Sequence, residues 1–214
     1  MSINKNDLMS KQDFEHNKQI LRRFQQTWEE TNHGTTGVCD AAIRKYIEGH
    51  PQNCDLHQVL TKCILINRVY STRISVENLV KIAKHIVEQL NFDELLKRGD
   101  LSTVEIIRTT KGANRNFAFA TKFCALHKNE YYPIFDGLSV ETLWKYQDEI
   151  NFTDGINEKS AENLHSNLRN DGDYQRYIKI YDDFIRTFGL GDYNYRQVDK
   201  YLWTVSKPEY EESK

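Results

Sequence analysis

Residues 111–144 read KGANRNFAFATKFCALHKNEYYPIFDGLSVETLW, and their order decides the fold. A short turn around Gly112 separates two apolar patterns that repeat at helical spacing. Pro133 closes the loop after the second pattern, and Asp136 stands just before the next helix. Turn amides beside basic side chains suit a phosphate, and a lone carboxylate at a helix start suits transition-state chemistry. If one site holds both features, it acts on a nucleic-acid strand.

Helical patterning continues on both sides of this stretch. The segment 56–70 carries an apolar stripe. A second stripe runs from Val76 to Leu90, with Ser75 at the N-cap position. Residues 102–105 have the spacing of a capping box. Further helices are predicted at 11–30, 93–109, 116–127, from about 139 onward, at 174–188 and at 196–203. No strand pair or internal repeat is recognisable, so we predict an all-α fold.

The composition is that of a soluble globular protein with one domain or two joined lobes, because 214 residues suffice for a sizeable core. No apolar run is long enough to span a membrane and the N-terminus lacks the apolar core of a signal peptide, so we expect a cytoplasmic protein. The four cysteines have no metal-ligand spacing, so neither a metal nor another cofactor is expected. Cys63 and Cys124 fall in apolar patterns and are predicted to be core residues.

Charge is unevenly distributed along the chain, although the net formal charge is only −2. Residues 56–76 and 106–128 contain no acidic residue. Their cations are Lys62, Arg68, Arg73, Arg108, Lys111, Arg115, Lys122 and Lys128. A local basic face of this kind fits a polyanion such as a nucleic acid. The alternative is that two acid-poor helices arise by chance.

In the order and spacing of these segments, residues 56–146 resemble the helix-hairpin-helix DNA glycosylase superfamily. The hairpin turn, the apolar helix after it and the aspartate that follows a proline carry the resemblance. It implies two helical lobes with the active site in the cleft between them, in a monomeric enzyme. Lobe one is expected at about 52–133 with its hairpin at 102–127, and lobe two at about 1–51 plus 134–214.

The resemblance places a DNA phosphate at the hairpin turn. Gly112 fills the first glycine position of the family's turn, and Asn114 stands where a second glycine is expected. Asparagine tolerates left-handed backbone better than most residues, so the turn can be retained. The implied DNA contacts are Lys111, Gly112, Asn114, Arg115 and Asn116.

Asp136 takes the catalytic position of the family. Cleavage of an N-glycosidic bond develops positive charge on the sugar, and a fixed carboxylate stabilises that charge while it orients or deprotonates water. The base must first rotate out of the duplex. Two residues separate Pro133 from Asp136, where the family usually has one. From residue type alone, capping of the helix near Ser139 is the simpler role for Asp136.

Asn116 stands where bifunctional members of the superfamily carry a nucleophilic lysine. Lys122 lies roughly two helical turns further along and is expected to point elsewhere. The resemblance therefore implies a monofunctional enzyme, which releases the base without cutting the backbone through a Schiff base.

The base pocket and the wedge are expected at the end of the 56–70 helix, a region that faces DNA in the family. Arginines there could read a base edge or hold phosphates, and a tyrosine could stack on a base or fill the gap left by flipping. The alternatives are core positions for Tyr70 and Trp144 and solvated arginines. The residues implicated are Asn67, Arg68, Tyr70, Arg73, Tyr132 and Trp144.

Together these features predict a monofunctional DNA N-glycosylase. Its partner is double-stranded DNA with a damaged or modified base, and Asp136 is its only essential acid. The absence of cluster cysteines favours an unusual base, and some relatives of this kind excise modified bases from phage DNA. Two alternatives stay open: a helix-hairpin-helix DNA-binding module without catalysis, and a helical scaffold with no nucleic-acid role.

Overall fold

The computed structural model describes residues 35–113 and 116–206, with the side chains of 38–113 and 116–203. Every regular element in this part of the chain is a helix, which confirms the all-α prediction. The predicted helix at 11–30 lies outside the described residues. In chain order the helices are α1 (Thr35–Gly49), α2 (Leu56–Val69), α3 (Val76–Val87), α4 (Phe92–Lys97), α5 (Ser102–Arg108), α6 (Phe117–His127), α7 (Gly137–Ile150), α8 (Ala161–Asp171), α9 (Tyr174–Thr187) and α10 (Tyr195–Ser206).

The described residues form two compact units, one ending at Phe135 and the other beginning at Asp136. The first unit holds α1 to α6 and the second holds α7 to α10. The sequence-based lobes divide the chain at 51/52 and at 133/134. In the structure α1 belongs to the same unit as α2 to α6.

Helix α6 forms the core of the first unit. It packs against α1, α2 and α5, and eight of its 11 residues are buried. The cause lies in its sequence, FAFATKFCALH, which is apolar on almost every side and has no solvated face to present. Cys63 of α2 and Cys124 of α6 are fully buried, as predicted.

Helix α3 is amphipathic, but it is shorter than its apolar stripe indicates. Leu79, Ile82 and Ile86 are buried, and Ser75 caps the helix by accepting from the Asn78 amide at 3.3 Å. The helix ends at Val87, and Leu90 is 102% exposed. The prediction that Leu90 belongs to the buried stripe was therefore wrong, because the backbone leaves the helix before that residue.

The capping box predicted at 102–105 is also wrong. The Asp100 carboxylate accepts from the Ser102 amide at 3.0 Å and from the Ser102 hydroxyl at 2.6 Å. These bonds, together with Arg98, lower the pKa of Asp100 to about 2. Glu105 instead pairs with Arg108 at 2.7 Å. An aspartate outside the motif thus takes the capping role, since its short side chain reaches the first amides of α5.

The second unit is organised around α7, which packs against α8 and α10. Helix α9 contributes an aromatic row of buried residues, Tyr177, Tyr181 and Phe184, spaced so that they share one face. The rings of Phe184 and Phe188 lie 4.7 Å apart. Within the described residues, none of the helices has the length and apolar character needed to cross a membrane.

Candidate nucleic-acid site

The hairpin turn between α5 and α6 has the left-handed backbone that its glycine predicts. Gly112 has a φ of 70°, a conformation that glycine adopts without steric cost. The Ala113 amide donates to the Thr110 carbonyl at 3.1 Å. Lys111 and Gly112 are exposed. Asn114 and Arg115 lie outside the described residues, so the exposed part of the turn described is Lys111 with Gly112.

Asn116, which the sequence analysis proposed as a DNA contact, is buried in the first unit. It is 1% exposed, and its side-chain amide donates to the Ala113 carbonyl at 2.9 Å. The side-chain oxygen is buried without a hydrogen-bond partner. Asn116 therefore closes the turn from inside the unit, and its side chain does not face solvent.

Lys81 lies beside the turn and was not found from the sequence. A Cβ placed on Gly112 would lie 3.6 Å from the Lys81 ammonium. That ammonium also bonds Glu77 of the same helix at 2.7 Å, in a largely exposed pair. The sequence carried no signal for this residue, because Lys81 precedes the hairpin by some 30 residues and lies outside both acid-free windows. A second cation thus stands next to the amides that would face a phosphate.

The loop between α2 and α3 is held in a strained conformation by Asn67. Its side-chain oxygen accepts from the Thr72 hydroxyl at 2.7 Å and from the Ile74 amide at 2.9 Å, and its amide donates to the Ile74 carbonyl at 3.0 Å. Ser71 and Arg73 have φ values of 51° and 58°. Non-glycine residues occupy this region only when surrounding contacts enforce it, and such strain concentrates at functional sites.

The predicted pocket and wedge residues separate into surface and structural positions. Arg68 and Arg73 are exposed beside the strained loop, and Tyr70 is half-buried with its hydroxyl donating to Asp40. Tyr132 is 1% exposed, and its hydroxyl donates to the Asp100 carbonyl at 3.0 Å, which makes it a core residue of the first unit. Trp144 belongs to the second unit, half-buried, with its indole donating to the Glu158 carbonyl.

Asp136 is the first residue of the second unit and the N-cap of α7. Its carboxylate accepts from the Leu138 amide at 3.0 Å, in the β-region backbone typical of a cap. The preceding residue is fixed in the first unit: the Phe135 amide donates to the Thr121 hydroxyl at 3.1 Å, and its ring lies 4.7 Å from that of Phe117. The helix-cap role is therefore real, and the half-buried carboxylate has a defined position.

Further polar groups of the second unit lie close to Asp136. Burial and the charges of Asp199 and Asp136 raise the pKa of Tyr177 well above its ordinary value. The His165 ring faces the backbone of Gly137, with Nε2 3.8 Å from where a Cβ would stand. A carboxylate, a phenol and an imidazole thus occur within one unit around the start of α7.

Two cations of the acid-free windows are not on the surface. Lys122 is 5% exposed and Lys62 is 0% exposed. The Lys62 amine donates to the Gln52 carbonyl and to the Asn53 side-chain oxygen, both at 2.9 Å. Burial lowers the pKa of Lys62 to about 8. The basic face predicted from the sequence is therefore smaller than the count of cations indicates.

A pocket of about 510 Å³ lies in the first unit, next to the ends of α1, α4 and α6. His127 lines it, and burial lowers the pKa of this imidazole to about 3. Side chains of both signs line the rest, including Glu48, Asp93, Lys97 and Lys128. Because acidic and basic side chains both line this pocket, its charge favours neither an anionic nor a cationic ligand. Among the residues that the structure describes, no group of three or more His, Cys, Asp or Glu side chains could hold a metal ion.

Comparison with known proteins assigns the chain to a family. Residues 15–131 match the family model HI_0787_N, which is described as an N-terminal domain. A Haemophilus influenzae protein named "Uncharacterized protein" is 30% identical over 162 residues, which is 74% of this chain and 71% of the relative. The chain belongs to this family. No solved structure matches it significantly. The residues matched by the family model include the hairpin and end before Asp136.

Proposed function

We propose that this protein is a monofunctional DNA N-glycosylase of the helix-hairpin-helix type. The observation that carries the proposal is the sequence of features from Gly112 to Asp136: a left-handed glycine turn, a buried helix, and a loop anchored to that helix at Phe135. The loop ends at a carboxylate held on a helix start. The helix-hairpin-helix glycosylase fold, a monomeric state and a cytoplasmic location are parts of the same proposal.

In this proposal the Asp136 carboxylate supplies the chemistry. The bond from the Leu138 amide fixes its orientation, and the positive end of the α7 dipole favours a negative charge at this position. As the glycosidic bond breaks, positive charge grows on the sugar, and a preorganised carboxylate stabilises it and orients water for attack. The bond from the sugar to the base breaks, the oxygen of water bonds the sugar carbon in its place, and the proton that this water loses passes to the departing base, which is released neutral.

In this proposal no lysine stands at the position of the family's amine nucleophile, which is the start of the helix after the turn. Asn116 occupies that position, and it is buried with its side chain bound to Ala113. Lys122 is buried further along α6. We therefore expect base release and an abasic site, with no covalent amine intermediate.

The proposed DNA contacts are the turn and the strained loop of the first unit. Lys111 and Gly112 at the turn, with Lys81 beside them, suit a phosphate because amides and ammonium groups bind its oxygens without reading sequence. Arg68 in the last turn of α2 and Arg73 in the α2–α3 loop are exposed cations on this side of the unit. Phosphate contacts of this kind make DNA affinity fall steeply with salt concentration.

The decisive experiment compares Asp136→Asn with a matched cap variant. Asparagine caps helices about as well as aspartate, so Asp136→Asn removes the charge and keeps the cap. Asp173 caps α9 by accepting from the Arg176 amide at 3.0 Å, and Asp173→Asn is the control. Duplexes with damaged bases and hypermodified phage DNA are the substrates, and free base and alkali-labile sites are measured. We expect Asp136→Asn to lose at least about 100-fold in rate, and Asp173→Asn to match wild type.

The same assay distinguishes the glycosylase from the alternative, a DNA-binding module without catalysis. The capping bond at Asp136 favours that alternative, because it gives the carboxylate a structural role without any chemistry. Salt-sensitive binding with no released base on any substrate supports the module. Equal activity of wild type and Asp136→Asn contradicts the catalytic role, and a borohydride-trapped DNA adduct contradicts the monofunctional one.

A further inference from the structure

The face that α7 turns toward α10 is unusually polar. Ser139, Thr142 and Tyr146 lie on it at helical spacing, and all three are buried. The Ser139 hydroxyl donates to the Asp199 carboxylate at 3.1 Å, and the Thr142 hydroxyl donates to the Leu202 carbonyl at 3.1 Å. The hydroxyls of Tyr146 and Tyr201 lie 2.6 Å apart. The two helices are thus joined by hydrogen bonds along three successive contacts.

The first of these contacts ends in a buried ion pair. Arg196 Nη1 bonds the second carboxylate oxygen of Asp199 at 2.8 Å, and the two side chains are 12% and 7% exposed. Removing such a pair from water carries a large desolvation cost, so ion pairs of this kind add little net stability. Arg196 and Asp199 lie one turn apart on α10, so the pair fixes the Asp199 carboxylate within its own helix. The Ser139 bond to that carboxylate then sets the register of α7 against α10.

The register of α7 matters because of what lies at its start. Ser139 stands in the first turn of the helix whose N-cap is Asp136. The Asp136 carboxylate and the Leu138 amide close that same turn. A shift of the turn therefore moves the carboxylate, and displacements of about 1 Å at a reacting group can cost about 100-fold in rate.

We infer that Ser139, Asp199 and Arg196 form a positioning network that fixes the first turn of α7 and thereby the Asp136 carboxylate. The inference rests on the proposed glycosylase function for its consequence in catalysis. Its mechanical part, the immobilisation of the turn, stands on the hydrogen bonds alone. Asp199 and Arg196 hold Ser139 from α10, and none of the three residues is assigned a bond to the substrate.

The test compares Ser139→Ala with Thr142→Val in the full chain. Each variant removes one buried hydroxyl that bonds α10, so a purely structural role predicts similar effects. For base release from duplex DNA, we expect Ser139→Ala to lower kcat about ten- to 100-fold with unchanged KM. We also expect the Leu138 amide hydrogen to exchange with solvent at least about five times faster in this variant. Thr142→Val is expected to leave both quantities near wild type. Ser139→Cys, a weaker donor of similar size, is expected to give intermediate values.

Hydrogen exchange tests whether the network immobilises the first turn of α7, and activity tests the consequence for catalysis. Unchanged exchange at Leu138 in Ser139→Ala overturns the positioning network, whatever the activity. Equal loss of kcat in Ser139→Ala and Thr142→Val overturns it as well. Faster exchange at Leu138, in a protein whose wild type releases no base from any DNA, supports the mechanical part and rejects the glycosylase function.

Discussion

Arg73 adopts a backbone conformation that costs free energy, and the structure offers no stability gain in return. Its φ is 58° and its side chain is exposed, while Asn67 supports the loop around it. Replacement by glycine relieves strain of about 1 kcal/mol. We therefore expect Arg73→Gly to raise the free energy of unfolding by up to about 1 kcal/mol in urea denaturation and to weaken DNA binding in fluorescence anisotropy.

Ser71→Gly is the control for this prediction. Ser71 lies in the same loop with a φ of 51°, and it is exposed and uncharged. The serine variant is expected to gain similar stability without loss of DNA affinity. A strained arginine that can be replaced with no effect on binding would show that the loop is not part of the DNA interface.

Individual residues differ in how far their roles could be predicted from sequence. The cap at Asp136 could be anticipated, because Asp-Gly-Leu-Ser precedes an apolar helical pattern. The position of Lys81 beside Gly112 could not, since it depends on how α3 packs near the turn. Lys62, Lys122 and Tyr132 show the same limit, because their sequence neighbours do not reveal whether the polar tip of a long side chain reaches solvent.

The hairpin turn requires glycine at position 112 because of its left-handed backbone, and not because neighbouring atoms leave no room for a side chain. The nearest atom to an added Cβ is the Lys81 ammonium at 3.6 Å, an ordinary contact. Gly112→Ala therefore introduces backbone strain alone, at a φ of 70°. We expect a loss of about 1–2 kcal/mol in the free energy of unfolding and a clear loss of DNA affinity, because the turn amides shift.

Gly99→Ala provides the comparison for the hairpin prediction. Its φ is 75°, and an added Cβ would lie 2.6 Å from Tyr131. Strain and steric overlap act together there, so we expect a larger loss of stability than in Gly112→Ala. Since the proposal gives Gly99 no DNA contact, the folded fraction of Gly99→Ala is expected to bind DNA like wild type. Equal affinity of the two folded variants for DNA contradicts a phosphate site at the hairpin.

Elements were predicted best where the apolar pattern was strong on its own. The buried helix α6 follows directly from its composition, and α9 and α10 begin within a residue of their predicted starts. Helices α1 and α8 were not predicted from the sequence. The other errors occurred at helix ends, where short-range polar groups compete. Asp100 took the capping role from the predicted box, and the chain left α3 before Leu90.

For the molecule as a whole, the buried ionisable groups set how stability depends on pH. Lys62 has a pKa of about 8 in the folded state against 10.5 in the unfolded chain. Between these values the unfolded state binds more protons, so stability rises with pH. Burial raises the pKa of both Cys63 and Cys124 from 9.0 to about 12. Between those values the folded state binds more protons, so stability falls with pH.

These opposing effects predict a maximum of stability near pH 9. From pH 8 to 9 the effect of Lys62 exceeds the combined effect of the two thiols, which already begin to ionise in the unfolded chain, so the net rise in the free energy of unfolding is roughly 0.3 kcal/mol. Above pH 9 the two thiols outweigh one lysine. The neutral amine of Lys62 still has two hydrogens for its two acceptors, so its deprotonation leaves the local hydrogen bonds in place. Urea denaturation from pH 7 to 11, under reducing conditions, measures the profile.

Lys62→Met tests whether this one buried amine causes the rise between pH 8 and 9. The variant removes the titrating group while it retains most of the apolar stem, so its free energy of unfolding is expected to fall by roughly 0.7 kcal/mol in that interval as the two thiols ionise in the unfolded chain. Lys84 is exposed on α3, and Lys84→Met is expected to keep the rise. A rise that persists in Lys62→Met assigns the effect to other groups. A profile that falls in wild type from pH 8 to 9 shows that the folded protein holds Lys62 protonated in that interval.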